Sequence, residues 1–413
     1  MNKLRDYQIE LSNKGVDILN RKKIVYLNFE VRTGKTLTSL QIAKLYGAKK
    51  VLFATKKKAI QSIIKDYEDF GYNNSFEIMV INNESLHKIH NIEDPFDLII
   101  HDESHRFGSF PKPSKVAKIF KEQYSYLPMI LLSGTMTPES YSQVYHQFWV
   151  SKYSPFEEIN FYKWANVYVN KKDRYLAHGK ITDYSYARID FIKKVIDPYI
   201  LTFTQKQAGF TTDVKEEVLT VKMKDSTYNV IELLKRDRIV IGKKGEVIAD
   251  TPVKLQQKVH QMYSGTIKFE DGSRTVFDYS KAEFIKERFK GSKIGIFYKF
   301  KAEWDALKEI YKDSLTNDLE EFNTTDKNIA LQVVSGREGI SLKQADYLIY
   351  YNIDFSAVSY WQSKDRMTTM DRKFNKVFWI FSKGGIEQKI YKSVMNKKNY
   401  TLSNFIKDYE LSN

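Results

Sequence analysis

A Gly-Lys-Thr triplet within FEVRTGKTLTS, residues 29–39, carries the clearest chemistry in the chain. The triplet follows an apolar segment that predicts a strand and opens a segment with helical spacing, which is the context of a phosphate-binding loop. Gly34 lets backbone N–H groups approach phosphate oxygens, and Lys35 brings positive charge to the β- and γ-phosphates. The Thr36 hydroxyl is suited to ligating Mg²⁺. The triplet therefore predicts a nucleoside triphosphate site, although Phe29 stands where the full motif has a first Gly.

Two adjacent carboxylates supply the second signal. Asp102 and Glu103 end the apolar run in FDLIIHDESH, residues 96–105. Catalytic groups of open parallel sheets lie at the carboxyl ends of the strands, where these two residues are expected. Asp102 can hold Mg²⁺, directly or through water, and Glu103 can polarise the attacking water. Together with the Gly-Lys-Thr triplet, the pair predicts hydrolysis of the bound nucleotide.

The elements that must position these residues are predicted from apolar runs and helical spacing. The first 150 residues alternate buried strands with helices, which favours a doubly wound parallel sheet. The strands are predicted at 24–28, 51–54, 96–103 and 129–133, and the helices at 35–46, 59–70 and 114–123. A second set of strands is predicted at 293–300, 328–335, 346–354 and 376–382, before a last helix at 386–396. We expect an α/β fold with domains at 1–150 and 213–413, a helical connector at 151–212, and a turn at Gly242–Gly245.

Composition excludes several other classes of protein. The chain has 413 residues, and at about 150 residues per domain this length favours two or three domains. It contains no Cys, which excludes disulfides, thiolate metal sites and a cysteine nucleophile. Lys and Arg total 66 against 51 for Asp and Glu, and the net charge of +15 favours an anionic partner such as nucleic acid. No apolar run approaches the ~18 residues that cross a bilayer, and the start MNKLRDYQ lacks a signal-peptide core, so we expect a soluble, intracellular protein without a membrane partner.

The order of the motifs resembles that of superfamily-two helicases. Gly-Lys-Thr at 34–36 is followed by Asp-Glu-Ser-His at 102–105 and by Ser-Gly-Thr at 133–135. LRDYQIE, residues 4–10, is similar to the Leu-Arg-x-Tyr-Gln motif of the Swi/Snf-type branch. The phosphate loop of that branch also lacks the first Gly and carries an acidic residue at the position of Glu30. The resemblance implies two RecA-like domains with an ATP cleft between them.

This resemblance also implies roles for individual residues in the first half. Nucleotide binding is implied for two short stretches, with Gln8 recognising the adenine edge: Arg5, Gln8, Arg32, Thr33, Gly34, Lys35 and Thr36. It implies Mg²⁺ ligation by Thr36 and Asp102, and catalysis by Lys35 and Glu103. Coupling of the ATP site to the second domain is implied for His105, Ser133 and Thr135. Contact with a nucleic-acid backbone is implied for Thr55, Lys56, Lys57 and Lys58.

Further segments continue the resemblance through the chain. INNESL at 81–86 is similar to the segment ahead of the family's second Walker motif, and 196–209 is similar to its interdomain link. The segment 335–356 resembles motif five, with Glu338, Gly339 and Leu342 at its recurrent places and Asp354 after the strand. The segment 360–372 resembles motif six, with Gln362 and Arg366 aligned, and 384–398 resembles a terminal brace helix. Gly339 and Gln362 join the implied nucleotide-binding residues.

Motif six departs from the family pattern at one position. Thr369 stands where a second Arg usually follows the first by three residues. An arginine finger stabilises charge on the γ-phosphate and contributes ~10³–10⁵ in rate. Three interpretations remain open: Arg366 acts alone, Arg372 reaches in from one helical turn further on, or hydrolysis is impaired.

The resemblance predicts an ATP-dependent DNA translocase or helicase that uses Mg²⁺. An RNA helicase and a nucleotide-gated clamp without motor activity are the alternatives. The resemblance and the short chain suggest replication, recombination or repair in a prokaryotic or phage setting, hence a cytoplasmic location, with a nuclear one left open. We expect a monomer whose targeting comes from substrate shape or a protein partner.

Overall fold

The computed structural model describes residues 3–89, 96–176, 179–209, 215–242, 245–333, 342, 344–356, 360, 376–396, 400–401, 404–405 and 408–409. The chain divides into two compact units, Met1–Phe210 and Thr211–Asn413. Among the described residues, no helix is both long and apolar enough to cross a bilayer.

The first unit alternates strands and helices along most of its length. Its helices are α1 (Asp6–Lys22), α2 (Lys35–Tyr46), α3 (Ile60–Asp69), α4 (Lys115–Gln123), α5 (Val144–Trp149), α6 (Phe161–Tyr168) and α7 (Ile189–Ile196). Its strands are β1 (Ile24–Phe29), β2 (Lys50–Thr55), β3 (Glu77–Asn82), β4 (Leu98–His101), β5 (Met129–Ser133), β6 (Lys172–Leu176), β7 (Gly179–Asp183) and β8 (Ile200–Phe203).

Six of these strands form one parallel sheet in the order β3-β2-β4-β5-β1-β8. The sheet is covered on both faces, because successive side chains of a strand point to opposite faces. On β1, Ile24 and Tyr26 join one hydrophobic cluster, whereas Val25, Leu27 and Phe29 join the other. Burial on both sides explains why the strand begins with the apolar run Ile24–Leu27.

The part of this unit after β5 contributes helices, a hairpin and an edge strand. Strands β6 and β7 pair antiparallel outside the main sheet. Helix α7 lies within the segment 151–212 that was predicted to be a helical connector, and its Ile192 and Ile196 pack into one of the two clusters. Strand β8 then returns to the sheet and pairs in parallel with β1, with Phe203 beside Phe29. Its outer side is the edge of the sheet, and two of its four residues are only partly buried, which is why the strand signal there is weak.

The second unit repeats the architecture with two added hairpins. Its helices are α8 (Asp225–Asp237), α9 (Pro252–Tyr263), α10 (Ser280–Arg288), α11 (Lys301–Tyr311), α12 (Leu319–Thr324) and α13 (Ile386–Met395). Its strands are β9 (Lys215–Val221), β10 (Ile239–Gly242), β11 (Gly245–Ile248), β12 (Thr266–Lys268), β13 (Arg274–Val276), β14 (Ile294–Tyr298), β15 (Leu315–Thr316), β16 (Asn328–Gln332), β17 (Tyr347–Tyr350) and β18 (Lys376–Ser382).

Six strands of the second unit form a parallel sheet in the order β15-β16-β14-β17-β18-β9. Along β18, Val377, Trp379 and Phe381 join one cluster, and Phe378 and Ile380 join the other, so this sheet is also covered on both faces. Strands β10 and β11 pair antiparallel, with Gly242 opposite Gly245, the two glycines at which the sequence predicts a turn. The α/β fold class with two doubly wound parallel sheets is therefore confirmed.

Candidate ATP site

The order of strands in the first sheet brings four sequence motifs to one edge. Strands β2, β4, β5 and β1 are consecutive neighbours and run in parallel, so their carboxyl ends lie side by side. Thr55 ends β2, Asp102 and Glu103 follow β4, Ser133 ends β5, and the phosphate loop follows β1. Ligands of open α/β sheets bind at such an edge. The sheet thus places residues from distant parts of the sequence around one position.

The phosphate loop has the backbone that its glycine permits. Gly34, the residue before α2, has φ +84°. Glycine adopts this left-handed conformation readily, whereas a residue with a side chain would be strained. A Cβ at this position would lie 2.1 Å from Gln8 Nε2, so Gln8 of α1 packs directly against the loop. The Gln8 Oε1 atom accepts a hydrogen bond from the backbone N–H of Arg5 at 2.9 Å. Thr33 is buried, and its hydroxyl donates to the Glu30 carbonyl at 2.7 Å, which closes the loop on itself.

Lys35 reaches back across the same loop. Its Nζ donates to the carbonyl of Phe29 at 2.8 Å and lies 3.4 Å from that of Glu30. A Cβ on Gly134 would lie 3.4 Å from the same Nζ, so the Ser-Gly-Thr motif borders the lysine. An ammonium group held by carbonyls inside a loop can exchange those partners for phosphate oxygens, which carry full charge. The position of Lys35 therefore fits its predicted role.

Asp102 is a half-buried carboxylate held by hydrogen bonds on both oxygens. The hydroxyl of Thr55 donates to Oδ2 and the backbone N–H of Glu103 donates to Oδ1, each at 2.9 Å. Burial, and next the negative charge of Glu103, raise the pKa of Asp102 to about 6, although Thr55, Lys35 and Lys56 oppose the rise. A cation near Asp102 would relieve this penalty, because an opposite charge favours the ionised form. The site therefore fits a divalent cation.

Glu103 lies in a left-handed backbone conformation, φ 57°, that turns the chain sharply after β4. Its Oε1 lies 3.3 Å from Lys56 Nζ, and its Oε2 lies 3.3 Å from His105 Nδ1. Burial alone would raise the pKa of Glu103, but His105, Lys56 and Lys35 outweigh it and lower the pKa. Glu103 is therefore ionised at neutral pH, as a general base must be.

The three predicted coupling residues lie together beside Glu103. His105 Nδ1 lies 3.1 Å from the hydroxyl oxygen of Ser133, which also accepts the backbone N–H of Thr135 at 3.1 Å. Burial lowers the pKa of His105 despite the opposing charge of Glu103. The Thr135 hydroxyl is buried and has no hydrogen-bond partner among the described residues. A polar side chain left in that state is suited to a bound group that supplies the missing partner.

The remaining predicted residues of the first unit lie around this cluster. Thr36 is half-buried in the first turn of α2, and Arg32 has a positive φ of 66° in the loop. Lys57 and Lys58 are exposed in a short 3-10 turn after β2. Thr55 and Lys56 differ from these two lysines, because their side chains contact Asp102 and Glu103.

Two contacts of the site were missed by the sequence reasoning. Glu30 Oε2 accepts the backbone N–H of Gln205 at 2.6 Å, and the Gln205 side chain donates to the Val31 carbonyl at 2.9 Å. Because Gln205 follows β8, the end of the first unit is bonded to the phosphate loop. The sequence shows that an acidic residue occupies position 30, but nothing in its spacing identifies Gln205, 175 residues away, as its partner.

The second missed contact is a buried polar cluster behind the acidic pair. The ring of His101 lies 2.9 Å from the Ser104 hydroxyl and 3.1 Å from the Asn83 side-chain oxygen. Burial lowers the pKa of His101, which keeps the ring neutral. Asn83 belongs to INNESL, so this segment supports the turn that carries Asp102 and Glu103. The apolar run before Asp102 did not indicate that His101 would make hydrogen bonds in the core.

In the second unit, Leu342 is buried, and its Cδ1 would lie 2.7 Å from a Cβ on Gly295 of β14. Asp354 follows β17 and pairs with Lys299, which follows the neighbouring β14, at 3.1 Å. The other predicted residues of motifs five and six lie outside the described residues: Glu338, Gly339, Gln362, Arg366, Thr369 and Arg372.

Comparison with known proteins finds one family match and similar solved structures. Residues 1–139 match the family model described as "Type III restriction enzyme, res subunit". The helicase domain of Hef from Pyrococcus furiosus has a similar fold, with a TM-score of 0.51 and 14% identity over 95% of this chain and 98% of that one. The SWI2/SNF2 ATPase core from Sulfolobus solfataricus, solved with dsDNA, matches at a TM-score of 0.43 and 16% identity over 100% and 95% of the two chains. No curated protein matches the sequence.

The motif order resembles that of superfamily-two helicases, and the comparisons agree with it in two respects. A family model matches residues 1–139, and the fold is similar to that of a helicase domain over 95% of this chain.

Proposed function

We propose that the protein hydrolyses ATP and couples hydrolysis to movement on, or remodelling of, DNA. One observation carries the proposal: a single sheet edge brings Lys35 of the phosphate loop together with Asp102 and Glu103. Lys35 is close enough to both carboxylates to lower the pKa of each. This is the charge arrangement that phosphoryl transfer requires, with a cationic group for the phosphates and anionic groups for metal and water.

In this proposal each side chain has one task. Lys35 moves from the loop carbonyls to the β- and γ-phosphates and offsets their charge. Glu103 accepts a proton from the attacking water while the water oxygen bonds to the γ-phosphorus. The bond from that phosphorus to the bridging oxygen breaks, and its electron pair leaves with ADP. His105 orients Glu103 through the contact at Oε2.

Asp102 and Thr36 would hold Mg²⁺, which neutralises charge on the phosphate oxygens when bound. The half-buried, doubly hydrogen-bonded Asp102 fits that group. Gln8, packed on Gly34, is proposed to recognise adenine, with Arg5, Arg32 and Thr33 completing the loop's contacts. Gly339 and Gln362 are proposed to add nucleotide contacts, and Arg366 or Arg372 to supply the finger.

Nucleic acid is proposed as the track because of the charge of +15 and because Lys57 and Lys58 are exposed next to the catalytic edge. Lysines there would give salt-dependent binding with little sequence preference. DNA is favoured over RNA by the similarity of LRDYQIE and the phosphate loop to the Swi/Snf-type branch. Residues 1–150 and 213–413 are proposed as the two motor domains, with 151–212 as their connector.

Steady-state ATP hydrolysis tests the proposal. The rate is measured without nucleic acid and then with single-stranded, duplex and branched DNA and with RNA, with Glu103→Gln as the inactive control. We expect marked stimulation by one form of DNA and loss of turnover in the control. Stimulation by RNA alone would mean that the protein moves on RNA and not on DNA. A low rate unchanged by nucleic acids that measurably bind would support the clamp instead.

A further inference from the structure

Both oxygens of the Glu103 carboxylate are engaged within the first unit. Oε1 is held by Lys56 and Oε2 is held by His105, each at 3.3 Å. A carboxylate that takes a proton from water needs an oxygen available to that water. Lys56 and His105 therefore compete with that water for the two oxygens of Glu103.

The two partners differ in how easily an outside anion can displace them. His105 is only 10% exposed, and the Nδ1 atom that contacts Glu103 also lies 3.1 Å from the Ser133 hydroxyl oxygen, so an outside anion has little access to it. Lys56 is 23% exposed and is followed directly by the exposed Lys57 and Lys58. An anion that binds this run of three lysines reaches Lys56 without entering the protein.

We propose that the Lys56–Glu103 ion pair is a brake on hydrolysis that a nucleic-acid phosphate releases. A phosphodiester bound along Lys56–Lys58 takes Lys56 as a counter-ion, and Oε1 of Glu103 becomes available to the attacking water. The proposal rests on the proposed function. It explains how nucleic acid bound after β2 raises the hydrolytic activity of Glu103, which follows the neighbouring β4. The release requires only the contacts of Lys56 and Glu103, in the turns after β2 and β4.

The size of the brake follows from the exposure of the pair. Ion pairs near the surface contribute up to about 1 kcal/mol, which corresponds to about fivefold in rate. Removing Lys56 should therefore raise hydrolysis without nucleic acid by about fivefold. The rate with saturating nucleic acid should change little, so the stimulation ratio should fall by about the same factor.

Lys56→Ala is compared with wild type and with Lys14→Ala. Lys14 pairs with Glu10 on the surface of α1 at 2.6 Å, so this control also removes one lysine from a Lys–Glu pair. Lys56→Gln is measured in parallel, and thermal unfolding verifies that each variant is folded. We expect raised basal turnover in both Lys56 variants and wild-type turnover in Lys14→Ala.

The outcomes separate the brake from the function it depends on. The brake is overturned if the Lys56 variants hydrolyse ATP without nucleic acid no faster than wild type and are still stimulated by nucleic acid as wild type is. That result would leave the proposed motor function intact. Lower turnover with a raised KM for ATP also overturns it, because Lys56 then serves the nucleotide. If wild type hydrolyses no ATP with any nucleic acid, the proposed function fails and the brake fails with it.

Discussion

Replacing Thr55 with Val tests how the half-buried carboxylate of Asp102, which follows β4, is kept ionised. The Thr55 side chain is buried, and its hydroxyl donates to Asp102 Oδ2 at 2.9 Å. Valine has nearly the same shape but cannot donate, so the change removes one hydrogen bond and little packing. Because a hydrogen bond to the ionised form favours that form, its loss should raise the pKa of Asp102 further.

The magnitude follows from the strength of hydrogen bonds to charged groups, about 1.5–3 kcal/mol, or about 1–2 pKa units. From about 6, the pKa of Asp102 should move to about 7–8. At about pH 7 the ionised fraction should then fall from about 90% to about 10–50%. Turnover at subsaturating Mg²⁺ should fall about twofold to tenfold at that pH and recover above about pH 9.

The assay is ATP hydrolysis against pH at a fixed, subsaturating Mg²⁺ concentration, for wild type, Thr55→Val and Thr55→Ser. Serine keeps the hydroxyl, so its profile should follow wild type. Superimposable profiles for valine and wild type would refute the reasoning, because Thr55 would then not act on Asp102. A loss that is equal at every pH and accompanies weaker nucleic-acid binding would instead favour the backbone contact predicted from the sequence.

Two further predictions concern stability. The pKa of Asp102 lies above its ordinary value of 3.8, so the folded protein loses stability as the pH rises toward about 6. Asp102→Asn should therefore raise the free energy of unfolding by an order of 1–3 kcal/mol at about pH 8 and by much less at about pH 4, measured by urea titration without metal. Equal effects at the two pH values would contradict this prediction. Lys281 and Glu387 form a fully buried ion pair at 2.6 Å in the second unit, so Lys281→Ala should cost about 3–5 kcal/mol, whereas the double change Lys281→Met, Glu387→Leu should cost far less. A double variant as unstable as the single one would show that the pair itself stabilises the unit.

The central strands and the helices between them were predictable because their sequence signals are strong. Strands β1, β2, β4 and β5 each contain an apolar run of three or more residues, and α2 has the predicted bounds Lys35–Tyr46. Edge strands were harder to recognise. Strand β3 is only partly buried along most of its length, and the residues of β9 are largely exposed or half-buried, so neither produces such a run.

The candidate site was predictable in its residue types but not in its contacts. The Gly-Lys-Thr triplet and the Asp-Glu pair identify the phosphate loop and the acids from chemistry alone. The neighbours of those acids depend on strand order, since Thr55 meets Asp102 only because β2 lies beside β4. Strand order is not encoded in local spacing. The same reason hid the bonds from Gln205 to the phosphate loop.

The late position of β8 in the chain has a consequence for truncated proteins and for synthesis. Until β8 is made, one side of β1 has no partner strand, and Phe29 lacks its ring contact with Phe203. An unpaired apolar strand is a template for intermolecular pairing. A fragment ending at residue 139 or 150 should therefore aggregate even though it holds every residue of the first unit that is proposed to be catalytic. A fragment extended through Gly209 would close that side of β1, and a ribosome-bound chain would meet the same hazard until that length had emerged.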